Sequence, residues 1–533
     1  MPDNVVNKSP ASLSPHIYKF FQALTKNPQT IDLAMQIQQQ LEQGHTAVKY
    51  EDLLNDQMIS NDGKSGYIVQ KNGLAGFRRF YNQEQNIRDE FLSSQKVDLD
   101  FPQVKKSIKQ ILAIIEHKGS TALDLQWQAC LSCLQHTRFV LSGGPGTGKT
   151  TTVIRMMLLY LGVNPDKKIA LSAPTGKAAN RMMQSINNVL SEINISEKVN
   201  ICQQAQTLHR LLGYNHQNNT LKYNQHNPLP YDFIIIDEAS MLDVTMTDAL
   251  LKALKPQAQL LLMGDKNQLP AVEAGNVFAD LCELLKPGQV IDLFKHYIHG
   301  NETKAIETSN YIELKKNYRF NKDSVVAQSC DSLISQDFEK LKALKNNQYF
   351  SWINPVSRDD KLTQLKQWYL SISGDETAIL LSPVNHGGNS VSELNEMAVK
   401  LLYKNHGYNE NMPIMVTEND YTLGVFNGDI GYLTKIDNKW QIPFIIEGKI
   451  KNIQLDAINK WTIAHAISIH KSQGSEYDHV LIAIPNDFEL EILTNSLLYT
   501  AISRAKKSIT IWSNEDIIHK IIKTRESRLT FLK

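Results

Sequence analysis

Cysteine is scarce in this chain, and its distribution argues against a disulfide scaffold. Five cysteines in 533 residues, an odd number spread from Cys130 to Cys330, form no framework and suit a reducing compartment. No apolar stretch reaches the length that spans a bilayer. Met1 to Lys19 alternate polar and apolar side chains where a secretory signal has a long apolar run. These absences point to the cytoplasm. Charge of one sign is also missing: 56 Lys and Arg stand against 55 Asp and Glu. A polybasic tail or a uniformly cationic surface is thereby excluded, so affinity for a polyanion has to come from local clefts. No repeat of fixed period is visible.

Within those limits the composition is that of a globular protein, 42% hydrophobic and 21% charged. The length exceeds what one hydrophobic core supports and predicts three or four domains. Up to about Lys118 the apolar positions recur at helical spacing, as in Ile31, Ala34, Met35, Ile37, Leu41 and in Ile108, Ile111, Leu112, Ile115. This predicts a helical accessory or docking domain over residues 1–118. From Arg138 short apolar runs alternate with helical segments, the pattern of a doubly wound parallel sheet. Expected strands are Arg138–Ser142, Lys168–Ala173, Phe233–Ile236 and Gln259–Met263, with helices starting near Lys149, Lys177 and Asp243. A second set, Ala378–Pro383, His479–Ile484 and Ser508–Trp512, predicts another sheet. The divisions are residues 119–312 and 313–533. Short apolar runs with Gly and Asn between Pro413 and Trp461 predict a small β-barrel inserted at about 405–461.

One cysteine pair, Cys130 and Cys133, has the C-x-x-C spacing of half a zinc site or a redox motif. A tetrahedral site needs four ligands and the second pair is missing, so core packing in the helix Trp127–His136 is the expected role.

Chemistry concentrates elsewhere. Gly143-Gly144-Pro145-Gly146-Thr147-Gly148-Lys149-Thr150 fits G-x-x-x-x-G-K-T between an expected strand and an expected helix. Glycines there let backbone N–H groups approach phosphates, Lys149 supplies a point charge, and Thr150 is a candidate magnesium ligand. The run Phe233-Ile234-Ile235-Ile236-Asp237-Glu238 buries a strand and leaves two carboxylates at its C-terminal edge, where ligands bind in open α/β sheets. Asp237 suits the magnesium shell, and Glu238 suits orientation and deprotonation of an attacking water. After a third apolar strand comes Gly264-Asp265-Lys266-Asn267-Gln268-Leu269-Pro270, whose Gln268 amide both donates and accepts and so fits a sensor of the terminal phosphate. ATP and Mg2+ are the expected cofactors.

With these three segments in order the chain resembles the superfamily 1 helicases, and their wording is that of the RecD branch. Asn317-Tyr318-Arg319-Phe320, Ile469-His470-Lys471-Ser472-Gln473-Gly474-Ser475-Glu476 and Tyr499-Thr500-Ala501-Ile502-Ser503-Arg504 are similar to that branch's fourth, fifth and sixth motifs. Leu423-Gly424-Val425-Phe426-Asn427-Gly428-Asp429 is similar to the opening of its inserted barrel, and Gly44-His45-Thr46 with Arg78-Arg79-Phe80-Tyr81 loosely resembles its docking domain. The resemblance implies two RecA-like doubly wound P-loop domains. It places Tyr318 on adenine and Arg319 and Arg504 on the transferring phosphoryl group, with Thr151, Gly474 and Glu476 also at the nucleotide. A glutamine preceding the P-loop is implied to read adenine; Gln126 and Gln128 both qualify.

The resemblance also implies a DNA track. Pro174, Thr175, Gly176 and Lys177 open a helix after a strand, as a phosphate site requires. Thr207 and His209 resemble motif Ib, and His470 and Ser472 would grip from the second sheet domain. Activity as a five-prime to three-prime single-stranded DNA translocase and helicase follows, with RecB and RecC as partners in a heterotrimer that takes duplex ends in double-strand-break repair. A stand-alone RecD-like helicase and a nucleotide-switched regulatory subunit are the alternatives.

Overall fold

A computed structural model describes residues 15–115, 125–192, 205–215, 217–286, 308–318, 324–403, 407–420, 422–446, 449–486 and 492–533. The apolar runs expected to be strands form two parallel sheets. In the first, strands Tyr311–Leu314, Arg138–Gly143, Gln259–Gly264, Phe233–Ile236, Ile169–Ala173 and Gln206–Thr207 lie side by side in that order, all parallel. Alternate residues feed opposite faces, as the two-residue period of a strand demands. Phe139, Leu141, Ile235, Leu261 and Met263 join one buried cluster with the helices Leu125–Gln135 and Lys149–Val163. Val140, Ile234, Ile236, Leu260 and Leu262 join another with the helices Val244–Ala253 and Val277–Leu285. Both faces are covered, so the sheet is doubly wound. Tyr311–Leu314 belongs to this sheet, and the division drawn at residue 312 falls inside that strand.

The second sheet runs Phe350–Ile353, Ala505–Trp512, Tyr477–Ala483, Ala378–Ser382, Ala466–Ser468, again parallel throughout. Ile379, Leu381, Val480 and Ile482 face one core; Leu380, Leu481 and Trp512 face the other. Cys130 and Cys133 are buried in the core of the first domain, packed with the helices Leu125–Gln135 and Lys149–Val163. That burial among Leu131, Leu134 and Met157 is the core packing expected of the pair. No described helix is long and apolar enough to cross a membrane.

Two expectations need correction. The N-terminal region is not all helical: between helices Pro28–Glu42 and Arg78–Leu92 sits a four-stranded sheet ordered Val48–Lys49, Leu74–Phe77, Ile68–Lys71, Ile59–Ser60. Strands of two to four residues leave too little alternation to register against the flanking helices. The insertion, too, is not a closed barrel. It consists of two three-stranded antiparallel sheets on a shared core that includes Ile414, Val425, Ile442 and Phe444, and among the described residues no ladder joins one sheet to the other.

Residues 528–533 strap the N-terminal region to the first sheet domain. The Thr46 and Ala47 amides both donate to the Leu529 carbonyl, at 3.0 and 3.1 Å, and the Arg528 guanidinium donates to the Glu273 and Gly275 carbonyls, at 2.8 Å each. Gly44 has a φ of +90° and a Cβ there would sit 2.6 Å from the Arg528 guanidinium carbon, which gives Gly44 an intramolecular reason to be glycine. Under the strap Glu84 is fully buried, accepting from the Thr46 hydroxyl at 2.7 Å and the Phe531 amide at 2.8 Å.

Burial pushes the Glu84 carboxyl up to about 8. A folded-state value above the unfolded one means that this group's stabilisation is fully present below about 4.5 and is lost as pH rises through about 8. Glu84→Gln keeps an acceptor for Phe531 and a donor for Thr46 without the charge. The variant should therefore be more stable than the parent at alkaline pH, by on the order of a few kcal/mol, with the difference shrinking as pH falls from about 8 toward 4.5. Parallel melting curves across that range check it.

Candidate active site

The loop from Gly143 to Lys149 leaves a buried strand and enters a helix whose N-terminal cap, Gly148, has a φ of +79°. Gly146 is likewise left-handed at +75°. A Cβ on Gly148 would collide with the Gln126 amide nitrogen, so glycine is required by conformation and by space. The loop is braced from the fourth motif: the Asn317 side-chain amide donates to the Pro145 carbonyl at 2.9 Å, and the Tyr318 amide to the Gly146 carbonyl at 2.8 Å.

Around this loop lies a cavity of 370 Å³, lined by Gly144, Pro145, Gly146, Thr147, Gly148, Lys149, Thr150, Thr151, Asp237, Glu238, Gln268, Tyr318, Gly474, Glu476 and Arg504. Both sheet domains contribute, with Gly474, Glu476 and Arg504 coming from the second. The Lys149 ammonium donates to the Gly143 and Gly144 carbonyls, the latter at 3.0 Å. Burial, and then the neighbouring Glu238, push the Asp237 carboxyl well above the ordinary aspartate range, while the Lys149 charge pulls it back. Glu238 sits at φ +52°, in the left-handed region, a strain kept where the surrounding structure over-determines it. Gln268 is buried, its amide nitrogen 3.4 Å from Asp265, and among the described residues its carbonyl oxygen meets no hydrogen-bond donor.

Arg504 is 3% exposed and donates to the Thr500 and Ser475 carbonyls and to the Ser503 hydroxyl, at 3.1, 3.3 and 3.0 Å. It is anchored in the second domain and borders the cavity from there. Arg319 lies outside the described residues. Gln126 is buried beneath the loop, donating to the Thr147 carbonyl at 3.2 Å and accepting from Arg155 at 2.7 Å. It abuts Gly148 on the side where Tyr318 also lies. Neither Gln126 nor the half-buried Gln128 lines the cavity.

Sequence reasoning missed Arg181, which lines the same cavity, pairs with Glu476 at 2.5 Å and donates to the Gly474 carbonyl at 3.0 Å. The signal was available: Arg181 stands four residues after Lys177 and so shares its helix face. It also missed the joint between the domains. The Tyr499 hydroxyl donates to Asp265 at 2.9 Å, the Leu269 amide to the Thr500 hydroxyl at 2.9 Å, and the Gln473 amide to the Leu269 carbonyl at 3.2 Å. Burial holds the Asp265 carboxyl above its usual value.

The expected strand-binding residues divide. Pro174, Thr175 and His209 line one groove. Thr175 and Thr207 use their hydroxyls to accept from the Ala178 and Arg210 amides, capping the helices that follow. His209 is exposed, edge-to-face with Tyr214. Gly176 lies against Phe426 of the insertion, and Lys177 donates to the Gly428 carbonyl at 3.4 Å. Burial brings the Lys177 ammonium down to about 8. His470 is half-buried, and burial lowers its titration. Ser472 is a correction: it is fully buried and its hydroxyl donates to the Ile469 carbonyl at 2.6 Å, so its side chain closes a turn and presents no face to a ligand.

Comparison with known proteins agrees with this geometry. A family model for an AAA domain matches residues 126–274, and one for a UvrD-like helicase C-terminal domain matches residues 463–511. The RecBCD enzyme subunit RecD of Haemophilus influenzae is 31% identical, over 74% of this chain and 69% of that protein. The chain belongs to the RecD family. A further relative in it, the ATP-dependent RecD2 DNA helicase of Deinococcus radiodurans, is 27% identical over 70% of this chain and 46% of its own length. Among solved structures, Pif1 helicase from Bacteroides in complex with ADP-AlF3 and ssDNA is similar at 17% identity and a TM-score of 0.42, covering 75% of this chain and 94% of that one.

Proposed function

We propose that this member of the RecD family is the RecD motor of a RecBCD-type complex, an ATP-dependent DNA helicase that moves five-prime to three-prime along single-stranded DNA in double-strand-break repair. The observation that carries the reading is the single cavity lined by Lys149, Asp237, Glu238 and Gln268 from one sheet domain and by Glu476 and Arg504 from the other. A nucleotide bound there touches both domains, so its hydrolysis changes their relation.

The residues fit ATP and Mg2+. Lys149 rests on two backbone carbonyls that phosphate oxygens can replace, and the Gln268 carbonyl oxygen is buried with no donor among the described residues. Thr150 and Asp237 would hold the magnesium ion, which neutralises phosphate charge when bound. Lys149 and the loop amides hold the phosphates, and Glu238 orients the attacking water and takes its proton. Arg504 stabilises charge on the transferring group, a role Arg319 shares. Release of the terminal phosphate frees Gln268, and the loop it stands on carries the Leu269 links to Thr500 and Gln473. Opening and closing of the domains then alternates the grip of Pro174, Thr175, Gly176, Lys177, Thr207 and His209 on one side and His470 on the other.

RecB and RecC as partners, and a cytoplasmic setting, follow from the family. The RecD subunit reading is favoured over a stand-alone helicase by the higher identity to the Haemophilus subunit, 31%, than to the Deinococcus helicase, 27%. Turnover measured with and without single-stranded DNA, alongside unwinding of duplexes carrying a five-prime or a three-prime tail, tests the motor. DNA-stimulated hydrolysis with unwinding from the five-prime tail is expected; unstimulated hydrolysis would leave a nucleotide-switched subunit. Recovery with RecB and RecC from the native cell tests the assembly, and consistent isolation alone would sink it.

A further inference from the structure

A groove beside the strand-binding residues has a wall that the helicase motifs do not supply. Its volume is 730 Å³, within the range of about 300–1,000 Å³ typical of ligand clefts. Its lining carries Thr175 and His209 of the first sheet domain together with Gln38, Leu41, Glu42 and Phe80 of the N-terminal region. The strap of residues 528–533 fixes that region to the first sheet domain, so the wall is part of the rigid frame.

From the charge and polarity of this wall we infer that the groove holds the unstacked bases of the single strand, with the N-terminal region as the base-contacting side. The inference rests on the strand-binding reading of Thr175 and His209. Phosphates are disfavoured deeper in the groove, because Glu42, Asp243 and Glu273 face it and His209 is the one basic side chain among its lining residues. Bases are uncharged and present flat apolar faces, which match Leu41, Phe80, Met241 and Met246 and the Val272 side chain, exposed at 73%. Their polar edges need donors and acceptors. Gln38 and Glu42, one helical turn apart and hydrogen-bonded at 3.2 Å, offer both. The backbone then runs along Thr175 and His209 with its bases turned toward the N-terminal wall.

Fluorescence anisotropy of the full chain with labelled oligothymidine and with an abasic oligomer of the same length tests this. The parent should bind oligothymidine roughly tenfold more tightly than the abasic strand. Leu41→Ser should lose about three- to tenfold in affinity for oligothymidine and nothing on the abasic strand. Glu42→Ala, at an exposed position, should show the same selective loss at smaller size and guards against a folding defect in the first variant. Equal parental affinity for the two strands, an equal loss on both in the variants, or no loss in either variant would overturn the base wall while leaving the strand-binding reading in place. Absence of binding to both strands in the parent would overturn that reading as well.

Discussion

Lys149→Gln should abolish DNA-stimulated ATP hydrolysis, lowering kcat by at least about a thousandfold, while leaving the fold and single-stranded DNA binding nearly intact. The asymmetry follows from what Lys149 touches. Among the described residues its ammonium donates only to the Gly143 and Gly144 carbonyls of its own loop, and the loop keeps its braces from Asn317 and Tyr318 without it. The core beneath, from Phe139 to Met263, contains no part of the side chain. What disappears is positive charge in a cavity that also holds Asp237 and Glu238. Lys149 is one of the cations that lower both Asp237 and Asp265, so its loss drives those carboxyls further toward protonation and weakens the magnesium shell as well as the phosphate clamp. Phosphate release in the presence of saturating DNA measures the effect, and anisotropy with labelled oligonucleotide measures the retained binding. Turnover within tenfold of the parent would remove Lys149 from the site.

The same residues show why the candidate phosphate-binding cavity was legible in the sequence and the hydrogen bonds between domains were not. Gly146 and Gly148 need left-handed backbone, Lys149 follows them, and the buried strand Phe233–Ile236 ends in Asp237; each requirement is local and leaves a fixed spacing. The central strands were legible for a related reason, since an apolar run covered on both faces reads as continuous hydrophobicity. Asp265 and Tyr499, by contrast, are 234 positions apart, and nothing in either local pattern announces a 2.9 Å hydrogen bond. Ser472 misled because a motif fixes a backbone position without saying whether a hydroxyl points outward or back to the carbonyl three residues earlier. The N-terminal sheet had one readable signal: Asn72-Gly73, both at positive φ, forms the two-residue turn between Ile68–Lys71 and Leu74–Phe77.

The joint explains how two distant grooves share one element. Gln268 borders the nucleotide cavity, and Pro270, Ala271 and Val272 on the same loop line the groove beside Thr175 and His209. Between them Leu269 is held at both backbone ends, its amide by Thr500 and its carbonyl by Gln473, both from the second domain. The Gln268 carbonyl oxygen, with no donor among the described residues, is thus separated from the groove by a few bonds of a loop that the second domain holds.

Arg504→Lys should be nearly as damaging as loss of Lys149, lowering kcat by ~10²–10³ with the KM for ATP changed only a few-fold. A guanidinium has five N–H donors in a fixed fork. Three contacts hold it in place, to Thr500, Ser475 and Ser503, and the remaining donors are free to meet charge on the transferring phosphoryl group. A lysine ammonium gathers its donors on one nitrogen and cannot satisfy those three acceptors while also reaching a phosphate, so charge is kept and placement is lost. Ground-state binding should survive because the proposed phosphate contacts, the loop amides and the Lys149 ammonium, all belong to the first domain. Steady-state kinetics at saturating DNA separates the two terms: a loss confined to KM, or a kcat within about fivefold of the parent, would mean that Arg504 braces the second domain and takes no part in the transition state.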